Sequence, residues 1–454
     1  MKPLSAAPPP PKTPAVDTLA ERSRRAVWHP CTQMKRLEDE PLLAIARAEG
    51  PWLIGTDGRR YLDAVSSWWV NLFGHGHPHI KAAIADQLDT LDHVMLAGCT
   101  HEPVVRLSER LGALTGLGHA FYASDGASAT EIALKMSAHF WRNAGRTEKC
   151  EFVGLAGGYH GETVGALSVT DIPLFREAYA PLLRLSAALP SPDTRQALPG
   201  EDALACARRC AAALEAYLEA HHARTAALIL EPLVQCAAGF GVHDPEYLRL
   251  ARALCRRFEV HLICDEIAVG FGRTGTLFAH QQAADGLPDF LCLSKGLTGG
   301  TLPLSVVLTT DAVYGAFYDD RASRGFLHSH SYTGNPLACR AALAVLDLFE
   351  TGLDGVPVLE RNRATAARLT ALAEPIARHP RVSDARQLGM LWAFDIGDPP
   401  PGFSARYHLA ARDEGLLLRP IDNTLYFMPP YVLDEAALAH LAGGTLRALE
   451  RALA

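Results

Sequence analysis

The sequence predicts an α/β fold built on a mainly parallel sheet. From about residue 100 to 340, short apolar segments alternate with amphipathic helical patterns. The apolar segments are continuous instead of alternating with polar residues, which is typical of strands covered by helices on both faces. We therefore expect one large domain with a mainly parallel mixed sheet flanked by helices, and a smaller α+β domain made from both ends of the chain.

The first elements should belong to the smaller domain. The leader M-K-P-L-S-A-A-P-P-P-P-K-T-P is rich in proline, and we expect residues 1–16 to be disordered. A short helix is predicted near Asp17 to Arg25, and the irregular segment V-W-H-P-C-T-Q-M-K (27–35) follows it. Two strands should flank Thr56-Asp57-Gly58, because Asp-Gly between apolar runs is a hairpin signal.

The middle of the chain supplies the sheet. A-F-Y-A-S (120–124) leads into a helical pattern that ends near Trp141. Further apolar strands are predicted, in chain order, in A-A-L-I-L-E-P-L, V-H-L-I-C-D-E-I, D-F-L-C-L-S-K and L-P-L-S-V-V-L. The large domain should span 66–340.

The C-terminal part should complete the smaller domain. A helix over Pro336–Phe349 leads into it, and long helices follow. Short strands are predicted in L-L-L-R-P (416–420) and L-Y-F-M-P-P (425–430), before a closing helix to Leu453. The smaller domain should therefore combine residues 17–65 with 341–454.

Charge and hydropathy restrict the possible partners. The net charge is -7 and no long Lys/Arg block occurs, which argues against nucleic acid and anionic membranes. No apolar run approaches the ~18 residues of a membrane span, and the proline-rich start does not fit a signal peptide. Small-molecule chemistry in the cytoplasm is the expectation.

The ten cysteines do not predict a disulfide framework or a zinc site. None form C-x-x-C, and Cys206 with Cys210 lies in a helical, alanine-rich pattern. Cys264 and Cys292 lie inside apolar strands, where a thiol behaves as a small buried hydrophobe.

Polar residues that end apolar strands are the first candidates for a site, because ligands of open α/β sheets bind at the carboxyl ends of strands. Asp265 and Glu266 end one predicted strand, and Ser294 with Lys295 ends the next. A third place is the turn S-D-G-A-S (124–128), which runs directly into a helix.

Together these positions indicate a pyridoxal 5'-phosphate site. A lone lysine after a strand is usually solvated, but apolar strand and glycines flank Lys295, and a desolvated lysine can form a Schiff base with an aldehyde. Asp265 could keep the cofactor's ring nitrogen protonated. Gly126-Ala127-Ser128 offers backbone N–H groups and a hydroxyl to its phosphate. Tyr159, in the loop G-G-Y-H-G, could cover the ring.

Four longer motifs resemble the class III aminotransferases of fold type I. They are D-E-I-A-V-G-F-G-R-T-G (265–275), L-S-K-G-L-T-G-G (293–300), G-Y-H-G-E-T (158–163) and Y-T-G-N-P-L-A (332–338). The similarity runs from about residue 27 to 440. It implies a PLP-dependent transaminase in which Lys295 binds the cofactor covalently, Asp265 holds its pyridine nitrogen protonated and Tyr159 stacks on its ring, with His160 also in contact.

Two competing interpretations depend on shorter patterns. G-F-G-R-T-G (270–275) satisfies the dinucleotide motif of an NAD-dependent oxidoreductase, but its glycines stand several residues after the strand and a poor helix start follows them. His75, His77 and His79 could bind a metal, but Gly76 and Pro78 suggest a turn at a helix start, and no carboxylate or cysteine shares the spacing. We expect no metal site. His328 and His330 are expected to be hydrogen-bonding loop residues near the cofactor.

The substrate-facing segments resemble one branch of the family. Branches that use glutamate commonly carry glutamine where this chain has Ala268. W-H-P-C-T-Q-M-K, S-S-W-W (66–69), D-H-V-M (92–95), L-L-L-R-P and L-Y-F-M-P-P-Y resemble a branch that transfers the amino group of S-adenosylmethionine to 8-amino-7-oxononanoate in biotin synthesis. Some relatives use lysine as the donor.

The same resemblance assigns the substrate contacts. Trp68 would wall the substrate channel, while Trp69 is expected to pack in the core. Arg419 and Tyr426 would meet the far end of the substrate, which is a carboxylate that a guanidinium binds in a fork. Cys31 would line the pocket where many relatives have tyrosine, and its thiol is the weaker hydrogen-bond donor.

The resemblance also implies a homodimer with the active site at its interface. Ser331 would reach the phosphate of the partner's cofactor. The branch commonly reads Gly-Pro-Thr where this chain reads Ser329-His330-Ser331, so Ser329 and His330 form a changed substrate wall. His330 resembles the H-x-H-[TS]-Y of other branches, which leaves open an ω-amino acid or diamine aminotransferase that uses pyruvate.

Overall fold

The computed structural model describes residues 18–283 and 287–454. The predicted disordered leader lies outside the described residues. The predicted first helix is Leu19–Ala26, where Thr18 and Glu21 form a reciprocal capping box at its start.

The described residues form sixteen strands, and most of the longer ones are apolar. They are β1 (Ile45–Glu49), β2 (Trp52–Gly55), β3 (Arg60–Asp63), β4 (His119–Ala123), β5 (Glu151–Leu155), β6 (Ala187–Leu189), β7 (Thr225–Leu230), β8 (Val234–Gln235), β9 (Gly241–Val242), β10 (His261–Asp265), β11 (Phe290–Leu293), β12 (Ser305–Thr309), β13 (Val382–Leu388), β14 (Leu391–Ile396), β15 (Leu416–Leu417) and β16 (Thr424–Phe427).

The helices alternate with the strands of the central region. They are α1 (Leu19–Ala26), α2 (Ser66–Trp69), α3 (Pro78–Thr90), α4 (Glu102–Thr115), α5 (Gly126–Asn143), α6 (Val164–Val169), α7 (Pro173–Arg176), α8 (Ala203–His221), α9 (Pro245–Arg257), α10 (Asp311–Gly315), α11 (Pro336–Thr351), α12 (Val358–Leu372), α13 (Glu374–Ala377), α14 (Phe403–Asp413) and α15 (Glu435–Leu453). Short 3-10 helices cover Met34–Glu38, Glu177–Leu182, Thr194–Gln196, Ala279–Gln282, Lys295–Thr298 and Ala322–Arg324.

The largest sheet has seven strands in the order β4-β12-β11-β10-β7-β5-β6. β10 pairs in parallel with β7 and β11, whereas β12 is antiparallel to both of its neighbours. Every residue of β7, β10, β11 and β12 is buried, as continuous apolar strands require. The predicted α/β class with a mainly parallel mixed sheet is confirmed.

The two ends of the chain meet in a second sheet. Its order is β1-β2-β3-β15, in which β15 pairs in parallel with β3 through Leu416 and Leu62. β2 and β3 form the predicted hairpin around Thr56-Asp57-Gly58, with Ile54 opposite Arg60. A three-stranded antiparallel sheet, β13-β14-β16, lies in the C-terminal part.

Proline limits the two C-terminal strands that the sequence predicts. β15 ends at Leu417 and β16 ends at Phe427, so Arg419-Pro420 and Met428-Pro429-Pro430 lie outside them. A proline has no N–H to donate to a neighbouring strand, which explains the shorter extent. The predicted helix after Pro336 and the closing helix to Leu453 are confirmed.

The G-F-G-R-T-G motif lacks the context of a dinucleotide site. β10 ends at Asp265, and the next helical residues are the short 3-10 helix Ala279–Gln282. The glycines therefore lie in turns and not at a strand-to-helix junction. This excludes the predicted alternative of a Rossmann phosphate loop at this position.

The cysteines in the interior are packing residues. Cys206, Cys210, Cys264 and Cys292 are free and buried, as the sequence predicts. Among the residues that the structure describes, no helix combines the length and apolar character of a membrane span.

Candidate active site

The carboxyl ends of five strands of the large sheet meet around one cavity. Asp265 ends β10, Lys295 follows β11, and the turn before α5 follows β4. Glu231 follows β7, and the loop of Tyr159 and His160 follows β5. The residues that the sequence singles out at strand ends therefore lie together around this cavity in the structure. The cavity has a volume of about 570 Å³.

Lys295 is half-buried in the wall of this cavity, beside the Trp69 ring and near the Asp265 carboxylate. Burial lowers the pKa of its ammonium, while the nearby Asp265 raises it. Its Nζ lies 5.4 Å from the centre of the Trp69 ring. Its backbone is left-handed, with φ of 45°, a conformation that persists in a side-chain-bearing residue only where its surroundings impose it. The lysine is thus held in place and desolvated, as a nucleophilic amine requires.

Asp265 is a buried carboxylate with one ionisable partner. Its Oδ2 lies 2.7 Å from His160 Nδ1, and its Oδ1 accepts a hydrogen bond from the Ile267 backbone N–H. No Lys or Arg pairs with it among the described residues. The opposite ring nitrogen of His160, Nε2, is buried and has no partner. A protonated ring nitrogen of a ligand would suit this carboxylate.

Glu231 is a second buried carboxylate beside the pair. Its two oxygens accept hydrogen bonds from the backbone N–H groups of Tyr159 and Cys236, at 3.0 and 3.1 Å. Burial, together with the nearby Asp265, raises its pKa to about 7. Glu231 therefore fixes the Tyr159 loop, and its proton is lost near neutral pH in the protein without ligand.

The N-terminus of α5 forms one wall of the cavity. Gly126 and Ala127 line it, and they are the first residues of an eighteen-residue helix whose N–H groups suit an anion. A Cβ on Gly126 would lie 2.8 Å from Ile267 Cγ2, so glycine permits this close packing.

The sequence predicts that Ser128 offers its hydroxyl to the cavity. In the structure, however, Ser128 does not line the cavity. Its N–H and its hydroxyl both bond the Asp125 carboxylate, each at 2.9 Å, and it is absent from the lining. Asp125 is the N-cap of α5, and capping uses both polar groups of Ser128. This helix end therefore offers backbone N–H groups to an anion, without the Ser128 hydroxyl.

These residues fit pyridoxal 5'-phosphate. The cavity combines a desolvated lysine, the buried carboxylate of Asp265, a helix N-terminus and the Tyr159 ring. Tyr159 donates a hydrogen bond to Glu162 and packs edge-on against Phe175, 5.6 Å between ring centres. Burial raises the pKa of its hydroxyl, so Tyr159 stays neutral.

A second cavity of about 990 Å³ opens beside the first. Trp68, Cys31, Arg419 and Tyr426 line it, so the structure brings these predicted substrate residues together. The two cavities share four lining residues: Trp69, Tyr159, Glu162 and Lys295. A substrate in the outer cavity can therefore reach Lys295.

Two arginines in the outer cavity differ in their pairing. Arg195 binds Asp193 at 2.5 Å and Asp395 at 3.3 Å, so its charge is already balanced. Arg419 donates to the Cys31 carbonyl and lies over the Trp68 ring at 5.6 Å. Arg419 has no carboxylate partner among the described residues, which leaves it free to bind a substrate carboxylate.

Cys31 lies at the mouth of the outer cavity. Partial burial and the nearby Glu162 raise the pKa of its thiol, and Arg419 lowers it. A protonated thiol is a poor nucleophile. Cys31 therefore contributes shape and a backbone carbonyl, as the sequence indicates.

A left-handed turn carries the two tryptophans. Ser66, Ser67, Trp68 and Trp69 have φ of 51°, 47°, 75° and 74°, a conformation that costs about 1 to 2 kcal/mol for each residue with a side chain. The turn exposes 46% of Trp68 and only 6% of Trp69. Trp69 packs against Phe240 and donates to the Tyr426 hydroxyl at 3.2 Å.

The structure does not bring Ser329, His330 and Ser331 to the cavities of their own chain. They are absent from both linings. His328 and His330 bond each other at 2.9 Å, and His328 lies 2.7 Å from Lys135 Nζ. The prediction that these histidines lie near the cofactor is therefore not met within one chain.

The other histidine cluster has protein partners. His75 lies 2.9 Å from Asp63 and His79 lies 3.1 Å from Asp347, while His77 precedes α3. Among residues 18–283 and 287–454, no three His, Cys, Asp or Glu side chains form a metal-holding group.

Glu231 and Arg195 are missing from the predictions, and Trp69 has a role beyond the predicted one. Glu231 ends an apolar strand, so the strand-end criterion could have found it. Trp69 packs in the interior as predicted, but it also walls both cavities. Arg195 gave no signal in the sequence, because its position depends on the fold around β8 and β9.

The chain matches the family model described as aminotransferase class-III over residues 33–449. A relative from Helicobacter pylori, an adenosylmethionine-8-amino-7-oxononanoate aminotransferase, is 41% identical over 442 residues, which cover 96% of this chain and 98% of the relative. A relative of the same name from Geobacter sulfurreducens is 38% identical, over 94% of this chain and 96% of its own length.

Solved structures share the fold. The crystal structure of adenosylmethionine-8-amino-7-oxononanoate aminotransferase from Methanocaldococcus jannaschii has a TM-score of 0.87 at 34% identity and covers 95% of this chain and 98% of its own. The omega transaminase from Pseudomonas jessenii in complex with PMP has a TM-score of 0.90 at 25% identity, with coverages of 96% and 98%.

Proposed function

The chain belongs to the class III aminotransferases, and from this premise we propose that it transfers the amino group of S-adenosylmethionine to 8-amino-7-oxononanoate through pyridoxal 5'-phosphate. The product would be 7,8-diaminononanoate, an intermediate of biotin synthesis. The relatives with this activity in their names are 41% and 38% identical over nearly their whole length.

One observation carries the substrate assignment. Arg419 lines the outer cavity and its guanidinium has no carboxylate partner among the described residues, while Lys295 lines both this cavity and the inner one. A keto acid with its carboxylate at the far end would fill the space between the two. The apolar walls, such as Trp68 and Phe175, suit its hydrocarbon chain.

The inner cavity would hold the cofactor by four contacts. Lys295 would bind it covalently, and Asp265 would hold a proton on its ring nitrogen. The N–H groups of Gly126 and Ala127 would bind its phosphate, and Tyr159 would cover its ring. His160 would fix the orientation of Asp265 through their 2.7 Å contact.

The cofactor would supply an electron sink and a carrier for the amino group. Lys295 would then act as the general base. Its pKa is lowered by burial, so that the released amine can accept the proton of the donor's Cα and return a proton to the acceptor's carbon in the second half of the reaction. Asp265 would stabilise the positive charge on the ring nitrogen.

The outer cavity would orient both substrates in turn. Arg419 would bind the carboxylate of 8-amino-7-oxononanoate in a fork. The Tyr426 hydroxyl, which burial keeps protonated by raising its pKa, would donate a hydrogen bond to the polar end of a substrate. Cys31 and Trp68 would shape the entrance.

We further propose that two chains form a homodimer with an active site at the interface. Large hydrophobic side chains are exposed in two neighbouring segments, at Met95 and at Leu327 and Tyr332. The Tyr332 ring contacts His93, at 4.9 Å between ring centres, which joins the segments into one surface. A second copy would cover it and place Ser331 near the partner's cofactor phosphate, with Ser329 and His330 beside the substrate.

Half-reactions test the donor. The purified protein is loaded with pyridoxal 5'-phosphate, and its visible absorbance is followed after addition of S-adenosylmethionine, lysine, alanine or 4-aminobutyrate. The proposal expects loss of the band with S-adenosylmethionine, followed by recovery when 8-amino-7-oxononanoate is added. Mass spectrometry should then detect the diamine product.

A matched variant and the other donors decide between alternatives. Lys295→Ala should bind the cofactor yet give no turnover, and retained turnover would overturn the assignment of the base. Reaction with lysine in place of S-adenosylmethionine would leave the proposed acceptor unchanged and show that lysine is the amino donor. Reaction with only alanine and 4-aminobutyrate would favour an ω-amino acid aminotransferase, as the H-x-H-S-Y sequence suggests.

A further inference from the structure

The left-handed turn Ser66–Trp69 is held from both sides by buried charged residues. On one side, Asp63 is fully buried and accepts hydrogen bonds from the Ser67 N–H at 2.8 Å and the Ser67 hydroxyl at 2.7 Å. On the other side lies Arg273. Both side chains bind groups of the turn itself, so the unusual backbone is fixed by them.

Arg273 is buried, and no carboxylate of residues 18–283 or 287–454 is in contact with it. Its exposed fraction is 1%, and its Nη2 donates to the Ser66 hydroxyl at 3.1 Å and to the Asn71 carbonyl at 2.9 Å. Its Nη1 donates to the Pro429 carbonyl at 2.5 Å. Its guanidinium lies over the Tyr431 ring at 4.9 Å. Neutral oxygen atoms therefore accept hydrogen bonds from both terminal nitrogens of this charge, whose burial is costly, while its Nε has no partner among the described residues.

These contacts tie three distant segments to the site. Arg273 lies in the loop that follows Asp265, the turn carries Trp68 and Trp69, and Pro429 follows the strand of Tyr426. Ser66 also donates to the Met428 carbonyl at 2.7 Å. Both walls of the outer cavity are thus connected to the loop of the catalytic aspartate through one guanidinium.

Burying an arginine costs desolvation free energy, and apolar side chains of similar volume often stabilise a protein equally well. Packing alone therefore does not explain Arg273. What the guanidinium adds is a fixed fork of donors aimed at two backbone carbonyls and one hydroxyl. The fork determines the direction of the turn. The conformation of the turn then places the Trp69 ring 5.4 Å from Lys295 Nζ and the Trp68 ring against Arg419.

We propose that Arg273 is a positioning residue that sets the Trp68–Trp69 turn, and through Trp69 the surroundings of Lys295. Arg273 lines neither of the two cavities. The inference rests on the proposed role of Lys295 as the residue that binds pyridoxal 5'-phosphate.

The test compares Arg273→Lys, Trp69→Phe and the double variant. Each is loaded with pyridoxal 5'-phosphate, and the visible circular dichroism band of the bound cofactor is recorded, because this band reports the asymmetric surroundings of the ring. We expect Arg273→Lys to weaken the band and to lower kcat/KM on the order of 10-fold to 100-fold. The double variant should lose no more than the more damaged single variant.

One further variant is a control, and another is a second test of the proposal. Arg252→Lys changes a buried arginine of α9 that pairs with Asp289 at 2.8 Å and lies outside both cavities, so both readouts should keep wild-type values. Ser66→Ala removes only the hydroxyl between Arg273 and the turn. It should weaken the dichroism band in the same direction and remains a test if Arg273→Lys does not fold.

Additive losses in the double variant, or an unchanged dichroism band in both Arg273→Lys and Ser66→Ala, would overturn the inference and leave Arg273 with a purely structural role. The band needs no substrate. A wild-type protein that binds the cofactor but does not transaminate would therefore refute the proposed function without affecting the test of Arg273.

Discussion

Two buried carboxylates near His160 have different electrostatic surroundings. Asp265 contacts the imidazole at 2.7 Å, whereas Glu231 accepts only backbone N–H groups. Burial favours the neutral form of Glu231 and raises its pKa to about 7. Neighbouring strand ends thus provide one carboxylate that pairs with an imidazole and one whose pKa lies near neutral pH.

The stability of the cofactor-free protein should depend on pH through Glu231. Its pKa is about 7 in the folded protein, above the ordinary 4.5, so the stabilisation from its proton is complete below about pH 4.5 and is lost as the pH rises through about 7. Glu231→Gln should remove this dependence, which amounts to roughly 3 kcal/mol. Urea unfolding at several pH values and one protein concentration measures it.

The exposed Glu450→Gln of α15 is the control for that experiment and should keep the wild-type pH dependence. If Glu231→Gln lost as much stability between acid and neutral pH as the wild type does, Glu231 would not be the titrating group.

Cys31 should be dispensable for turnover. Its thiol has a raised pKa through partial burial and Glu162, and only its carbonyl has a defined partner, Arg419. Cys31→Ala should cost less than about 1 kcal/mol of activation free energy, or roughly fivefold in kcat. Steady-state kinetics measures the loss, and a reduction as large as that of Lys295→Ala would make the thiol part of the chemistry.

At the scale of elements, the start of α5 depends on its contact with the Tyr159 loop. Gly161 has φ of 122°, and a Cβ there would lie 2.6 Å from Ala127 Cβ and 2.8 Å from Ala127 Cα. The loop and the helix therefore pack backbone against backbone. This contact fixes the N–H groups that would bind the phosphate.

Gly161→Ala should displace the first turn of α5 and weaken cofactor binding on the order of 10-fold or more. Gly145→Ala, beyond the other end of α5, is the matched control: its φ is also positive, at 80°, but a Cβ there meets nothing within 4 Å. Gly145→Ala should cost about 1 to 2 kcal/mol of stability and leave affinity unchanged. Fluorescence titration with pyridoxal 5'-phosphate compares them, and equal affinities would argue against the contact.

Elements with a strong local signal were predictable from the sequence. The hairpin at Asp57-Gly58, the buried strand β10 and the capped helix α5 each combine hydrophobic pattern with a turn or capping residue. The left-handed turn Ser66–Trp69 was not predictable, because no glycine marks it and its backbone depends on Asp63 and Arg273. Site residues at strand ends were predictable because the apolar strands before them give a strong local signal. The position of Arg195 in the outer cavity depends on tertiary contacts and was not predictable.

At the scale of the whole molecule, one chain holds an incomplete site if the proposed dimer is correct. Lys295 and Ser331 of the same chain would serve two different sites, since Ser331 is exposed and lines neither cavity of its own chain. The two sites of a dimer would then each combine both subunits.

Mixed dimers test this arrangement. Lys295→Ala should be inactive, and Ser331→Asp should be nearly so because its charge would repel the phosphate. After the two variants are unfolded and refolded together in equal amounts, half of the dimers are mixed, and each mixed dimer has one intact site. Activity should recover to about a quarter of the wild-type value. Without such recovery, Lys295 and Ser331 do not belong to different subunits of one site.

The wall between the two cavities also bears on how this scaffold can diversify. Only Trp69, Tyr159, Glu162 and Lys295 line both spaces. Substitutions of residues that line only the outer cavity, such as Cys31 or Arg419, therefore leave the inner residues in place. New acceptors can be selected, in nature or in the laboratory, by changing the outer cavity alone, while the amine chemistry is inherited intact.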